Sequence, residues 1–255
     1  PAPWGPGTPQ RPVSRKGAIR AAMEARYKQA SREQGLRVLI LMAGDFLEAG
    51  SLQTMFSQFT LRGLKAGKII YGGSPDTMHA YANLRDLGRA AEALVSLPDL
   101  PAHAEVPFYG HSFTARDVKA EVERQTGRSY RFGRFPWWQM RLVAPFWELA
   151  REVLEMRYLT EHPHWLDPAP MQALLPDFPM PPLVQAIADH LAVRLPQYRP
   201  AMGQIAPARG AGSALLGLLG GGLQAGDEFV LAGLAARRAF LGAKALADLV
   251  FGNVL

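Results

Sequence analysis

The chain has no cysteine. That excludes disulfides, thiolate nucleophiles and cysteine-ligated metals, and it fits a reducing compartment, so the expected location is cytoplasmic. Blocks of like charge are also missing. Lys and Arg number 28 against 22 Asp and Glu, for a net charge of +6 and a pI near 9.8. The basic excess gathers in Arg11–Arg37 and Arg116–Arg157, interleaved with acids, which describes a solvated surface rather than a nucleic-acid face. No long apolar run is present. The uncharged stretch Gly210–Ala225 is rich in glycine and falls short of the roughly 20 apolar residues a membrane helix needs, so no integral span is expected. The chain opens on Pro1, in the middle of a loop and without a signal-peptide pattern, and a fragment or cut product is the expectation.

What is present is an ordinary globular composition, 48% hydrophobic over 255 residues with a mean hydropathy of −0.04. A Pro/Gly-rich loop leads to Ser14, a helix cap. Ile19, Met23, Tyr27 and Ala30 then recur at helical spacing up to a stop at Gly35. Arg37–Met42 is a continuous apolar run, as in a parallel strand covered on both faces, and the small-residue turn Ala43-Gly44-Asp45-Phe46 follows. Lys68–Tyr71 and His79–Ala82 read as extended, and Asp86 heads a helix with Leu87, Ala90, Ala91, Leu94 and Val95 inward. Glu105–Tyr109 is a strand that Pro107 assigns to an edge. Thr114-Ala-Arg-Asp117 nearly matches a capping box, opening a helix that runs to Gly127. Ser129–Phe132 reads as extended. Pro136 opens a helical stretch, in which Trp137 and Trp138 are expected in the core with Met140 and Val143. Leu183–Leu191 is a compact helix carrying Asp189-His190 on a solvated face. Beyond Pro196 the composition shifts, and Phe229–Leu255 reads as a helix. The expected division is a domain over 1–195 and a helical tail of unassigned role over 196–255.

Four segments in this order resemble the C-terminal half of an extended short-chain dehydrogenase/reductase of the NAD-dependent epimerase/dehydratase group. They are Pro9–Glu24, Arg37–Phe46, His79–Ala90 and Phe108–Thr114, and the resemblance covers residues 8–195. It implies an α/β fold: an incomplete Rossmann-like parallel sheet with a small substrate subdomain. It further implies NAD or NADP as cofactor, a small polar or sugar-like substrate, and a homodimer. Lys16 and Arg20 fall where the family has its catalytic Tyr-x-x-x-Lys. Arg20 stays protonated and can hold a ribose or an anion. Lys16 replaces the tyrosine as acid or base only where burial or neighbouring cations bring its pKa down; otherwise both are surface residues. The loop Ala43, Gly44, Asp45 and Phe46 would flank the nicotinamide, since open α/β sheets bind ligands at strand carboxyl ends. Asp45 would touch its ribose or a substrate hydroxyl, a plain turn-former being the alternative. His79 and Tyr81 share one face of their strand and would border the substrate.

The family's Gly-x-x-Gly-x-x-Gly turn does not precede Thr8, and Gly210-Ala-Gly212 follows a poor strand, so the main cofactor motif is absent. His162-Pro-His164 has a metal-compatible spacing without a third ligand, and no metal is expected. The functional expectation is an NAD(P)-dependent oxidoreductase, epimerase or dehydratase, inactive if the fragment lacks what it needs. The alternative is a regulatory dinucleotide sensor without turnover.

Overall fold

The computed structural model describes residues 2–51, 54–196 and 229–231. Helix α1 (Arg15–Gln34) starts where Ser14 Oγ accepts from the Gly17 amide at 3.1 Å, and stops at Gly35, whose φ of 68° is left-handed. Its expected inner stripe is only half covered. Met23, Tyr27 and Ala30 are half-buried, but Ile19 is 58% exposed, and Ser31 is the only buried residue of the helix. The Ser31 hydroxyl donates to Ala102 O at 3.3 Å.

Strand β1 (Arg37–Met42) then crosses the middle of a parallel sheet. Its outer neighbour β5 (His103–Pro107) runs in register from Val38 opposite His103 to Met42 opposite Pro107. On the other side lies β8 (Phe229–Leu231), from Arg37 opposite Phe229 to Leu39 opposite Leu231. Val38, Leu39 and Ile40 are buried because the strand is covered on both faces, as its unbroken apolar run requires. Pro107 ends β5 on the sheet's outer side, where its missing N–H costs no ladder bond. The expected tail helix is corrected over the three described residues: Phe229–Leu231 is a strand. The other residues after Pro196, including Gly210–Ala225 and the rest of the expected helix, lie outside the described residues.

A second sheet holds β2 (Asp45–Leu47) parallel to β4 (His79–Asn83), with β6 (His111–Phe113) antiparallel on the far side of β4. Between β2 and β4 come a π-helical turn, Phe56–Thr60, and β3 (Lys68–Tyr71), which pairs in parallel with β7 (Arg131–Arg134). Helix α2 (Leu84–Val95) is capped by Asn83, whose Oδ1 accepts from the Arg85 amide at 3.0 Å. The helix therefore starts ahead of Asp86, which sits in its first turn, buried and paired with Arg89 at 3.1 Å. Helix α3 (Ala115–Thr126) carries the complete capping box: Asp117 accepts from the Thr114 amide and Thr114 Oγ1 from the Asp117 amide.

The stretch after Pro136 is three short helices rather than one: α4 (Trp137–Val143), α5 (Glu148–Glu155) and α6 (Arg157–Glu161). Trp138 is 63% exposed, against the core position expected for it, while Trp137 is half-buried and packs against the third core. Two more helices follow, α7 (Ala169–Leu174) and α8 (Leu183–Arg194). On α8, Asp189 is exposed as expected but His190 is buried edge-on against Phe56, its Nδ1 2.8 Å from Ala186 O. Three apolar cores result. One centres on Phe56, Phe113 and Ile187, one on Leu39, Leu94 and Phe108, and a smaller one on Phe135, Met140 and Val153. Each fully buried large side chain among them contributes about 1.5–3 kcal/mol. Among the described residues no helix is long and apolar enough to cross a membrane.

Candidate functional site

The Ala43-Gly44 turn is where the chain leaves the first sheet for the second. A Cβ on Gly44 would lie 2.1 Å from Ala80 O, so only glycine lets β2 run this close to β4. That approach sets Asp45 directly opposite Tyr81. His79 precedes Tyr81 by two residues on the same strand, so all three side chains share one face of the sheet. Tyr81 stacks on Phe113 at 4.0 Å between ring centroids and meets Phe56 edge-on at 5.5 Å.

A further imidazole joins them from far along the chain. His164, buried in the loop after α6, stacks 5.1 Å from the His79 ring on one side and 5.1 Å from the Trp4 indole on the other. Backbone bonds hold this sandwich: His164 N–H to Met78 O at 2.9 Å, Trp4 N–H to Trp165 O at 2.8 Å, and Asp167 N–H to Trp4 O at 2.9 Å. The amino-terminal loop therefore forms one wall of the cluster.

Asp45, His79 and Tyr81 line a cavity of about 80 Å³. Its remaining wall is largely apolar. Phe56 and Phe59 come from the π-helical turn, Ile70 from β3, Trp137 from α4, and Val153 and Met156 from α5 and its end. Gly72 and Gly73 close it where β3 ends. A Cβ on Gly73 would sit 2.2 Å from Thr160 O, and Gly72 O accepts from Trp137 Nε1 at 2.7 Å. Burial pushes the Asp45 carboxyl up from the usual carboxylate range, with His164 partly opposing it. Burial, reinforced by Asp45, also pushes the Tyr81 hydroxyl up. Burial and then His164 bring His79 down to about 4, against a backbone hydrogen bond at Thr160. At neutral pH His79 is therefore an uncharged imidazole, and its buried Nε2 has no hydrogen-bond partner.

The remaining sequence-predicted site residues lie apart from this cavity. Lys16 is half-exposed on α1 and donates to Glu152 Oε2 at 2.7 Å, and Arg20 is exposed on the same helix. Ala43 and Phe46 pack against the core around Leu39 and Phe108. The sequence reading missed Trp137 and Thr160 as cavity walls and His164 as the partner of His79. The His162-Pro-His164 signal pointed to the right residue with the wrong chemistry, since His162 is exposed and His164 is taken up in stacking. Among the described residues no group of three or more His, Asp or Glu could hold a metal ion. A larger open groove of about 630 Å³ runs between α2 and Leu174–Pro179 and contains none of the predicted residues.

No family model matches the sequence, and no curated protein does. Solved structures match the fold. UDP-glucuronic acid 4-epimerase from Bacillus cereus, in complex with UDP-glucuronic acid and NAD, is 12% identical with a TM-score of 0.58, over 74% of this chain and 55% of that one. MoeE5 in complex with UDP-glucuronic acid and NAD is 16% identical with a TM-score of 0.59, over 77% and 60%. L-threonine dehydrogenase from Phytophthora infestans is 16% identical with a TM-score of 0.55, over 74% and 61%. The chain thus spans less than two thirds of the length of these structures. At such identities the likeness is one of fold: a partial Rossmann-like α/β architecture.

Proposed function

We propose that the chain is an NAD(P)-dependent protein of the epimerase/dehydratase or reductase type, and that Asp45, His79 and Tyr81 receive a small substrate bearing a carbonyl or hydroxyl group. One observation carries this reading: three ionisable side chains from two strands converge on a partly open cavity, and one of them keeps a buried nitrogen without a partner. The solved structures of like fold include complexes with NAD and UDP-glucuronic acid, which supports the same class of chemistry.

The fit to a dinucleotide is partial. Ala43–Phe46 at the end of β1 offers a nicotinamide edge, and Arg20 offers a charge for a ribose or anion. For pyrophosphate, no Gly-x-x-Gly-x-x-Gly turn joins a strand to a helix among the described residues. A bound nicotinamide would exchange a hydride with the substrate. The chain's own residues would do the rest. Asp45, whose protonated form burial favours, donates a hydrogen bond or proton to the substrate oxygen. The Tyr81 hydroxyl supports it, and His79 Nε2 fixes a second polar group. A sensor that binds dinucleotide without turnover is the second reading. It is favoured by Lys16, whose ammonium is committed to Glu152 and does not line the cavity.

Titration of the full chain with NADH and NADPH by fluorescence, followed by turnover assays over a panel of carbonyl compounds and sugar nucleotides, separates the two. The enzyme reading expects binding and turnover, with turnover lost by about 10²-fold or more in Asp45→Asn. Binding without turnover identifies the sensor, and absence of binding removes both. A Lys16→Ala variant that works at the parent rate eliminates a proton-transfer role for that lysine.

A further inference from the structure

The walls of the cavity say more about its occupant than Asp45, His79 and Tyr81 do. Among the described residues neither Lys nor Arg lines it. Two arginines near its rim are already taken. Arg116 is held by Asp76, with Nε–Oδ1 at 2.5 Å and Nη2–Oδ2 at 3.0 Å. Arg157 pairs with Glu161 at 2.7 Å and lies over the Trp137 ring at 5.6 Å. Among the described residues, a phosphate or carboxylate entering the cavity would meet a carboxyl group, hydroxyls and aromatic rings, with no lining cation to offset its lost hydration.

Size points the same way. A dry protein cavity of about 150 Å³ admits one benzene molecule, so about 80 Å³ holds roughly three to five heavy atoms. Asp45, His79 and Tyr81 come from the β2–β4 face, and Thr60, Tyr71, Ser74, Thr77 and Thr160 add hydroxyls to the lining. Phe59, Ile70, Trp137, Val153 and Met156 add apolar surface and one indole N–H, which is already bonded to Gly72 O.

Resting on the reading of this cavity as the substrate site, we infer that it takes a small uncharged carbonyl compound or its alcohol, with the oxygen toward Asp45 and His79 and an aliphatic body against Ile70 and Val153. A nucleotide sugar is not its ligand.

The test uses three probes of nearly one shape and three charges: 2-butanone, propionate and protonated 2-aminobutane. Saturation-transfer difference NMR on the full chain, with and without NADH, reads which of them is bound. The expected result is transfer to 2-butanone alone, falling at least about fivefold in Thr60→Trp and Thr77→Trp, two independent fillings of the lining. Circular dichroism verifies that each variant is folded. On the parent protein, millimolar UDP-glucuronic acid is expected to leave the 2-butanone signal unchanged, a readout that needs no variant. The inference is overturned by transfer to either charged probe at the level of 2-butanone, by displacement with UDP-glucuronic acid, by no transfer to 2-butanone, or by transfer that survives in both folded fillers. The cofactor reading fails separately. Binding of 2-butanone without any NADH binding keeps the inference and removes the dinucleotide, and NADH binding with UDP-glucuronic acid in the cavity does the reverse.

Discussion

Asp45 and His79 are set against each other by the same burial. An aspartate whose pKa rises on folding binds more protons in the native state above its unfolded value. Its contribution to stability therefore falls as pH climbs from about 3.8 through the raised native value. His79 behaves oppositely. Its native pKa of about 4 lies below the unfolded 6.5, so the unfolded chain takes up more protons between those values and stability falls as pH drops through that window. His111 and His190 are shifted the same way by burial and add to the slope. Urea midpoints should therefore decline from pH 7 to pH 4.5, less steeply in His79→Gln. Asp45→Asn should gain stability over the parent at pH 8 and lose that advantage near pH 4, because the amide has no proton to give up; a constant offset across pH would count against a buried, protonated carboxyl. At this scale strand alternation put His79 and Tyr81 on one face and a strand end put Asp45 in a turn, and the structure brings the three to one cavity. The sequence could not disclose His164, since stacking between residues 79 and 164 depends on where the loop after Glu161 returns.

Elements with a cap of their own were legible. Ser14 and Gly35 bound α1, and Thr114 with Asp117 opens α3, because those groups satisfy helix ends within a few residues of sequence. The three-residue strands β2 and β6 and the π-helical turn were not, since each is held by neighbours across the fold. Arg194 from α8, for instance, donates to the carbonyls of Ser57 and Leu61 around that turn. The break between α4 and α5 was missed because Pro136–Leu154 keeps an apolar period through it. Gly73→Ala tests the closest packing at this scale. With a Cβ placed 2.2 Å from Thr160 O, β3 or α6 must shift, and a loss of about 1–3 kcal/mol is expected in urea denaturation. Gly50→Ala, with nothing within 4 Å of the added carbon, should stay within about 0.5 kcal/mol.

Over the whole molecule, long-range ion pairs tie the helices to distant elements. Lys16 of α1 reaches Glu152 of α5, and Lys28 reaches Glu105 of β5. Both lysines are half-exposed, so each pair is worth only about 0.2–1 kcal/mol. Lys16→Ala should therefore lower stability by no more than that, and the effect should shrink in 1 M salt; a larger loss would mean that α1 depends on this contact for its docking. The general architecture could be read from the order of apolar runs and turns. The pairing of Phe229–Leu231 with β1 could not, because a three-residue strand far along the chain carries no local sign of its partner.

The paired glycines at the end of β3 also constrain how this protein can diversify. A Cβ at Gly72 or Gly73 would meet Thr160 at 2.7 or 2.2 Å, so every single-step variant of that wall costs stability. New ligand preferences arise at less cost elsewhere in the lining, at Thr60, Ile70, Thr77, Val153 or Met156. A lineage exploring other substrates would accumulate its changes there, while the glycine pair stayed fixed.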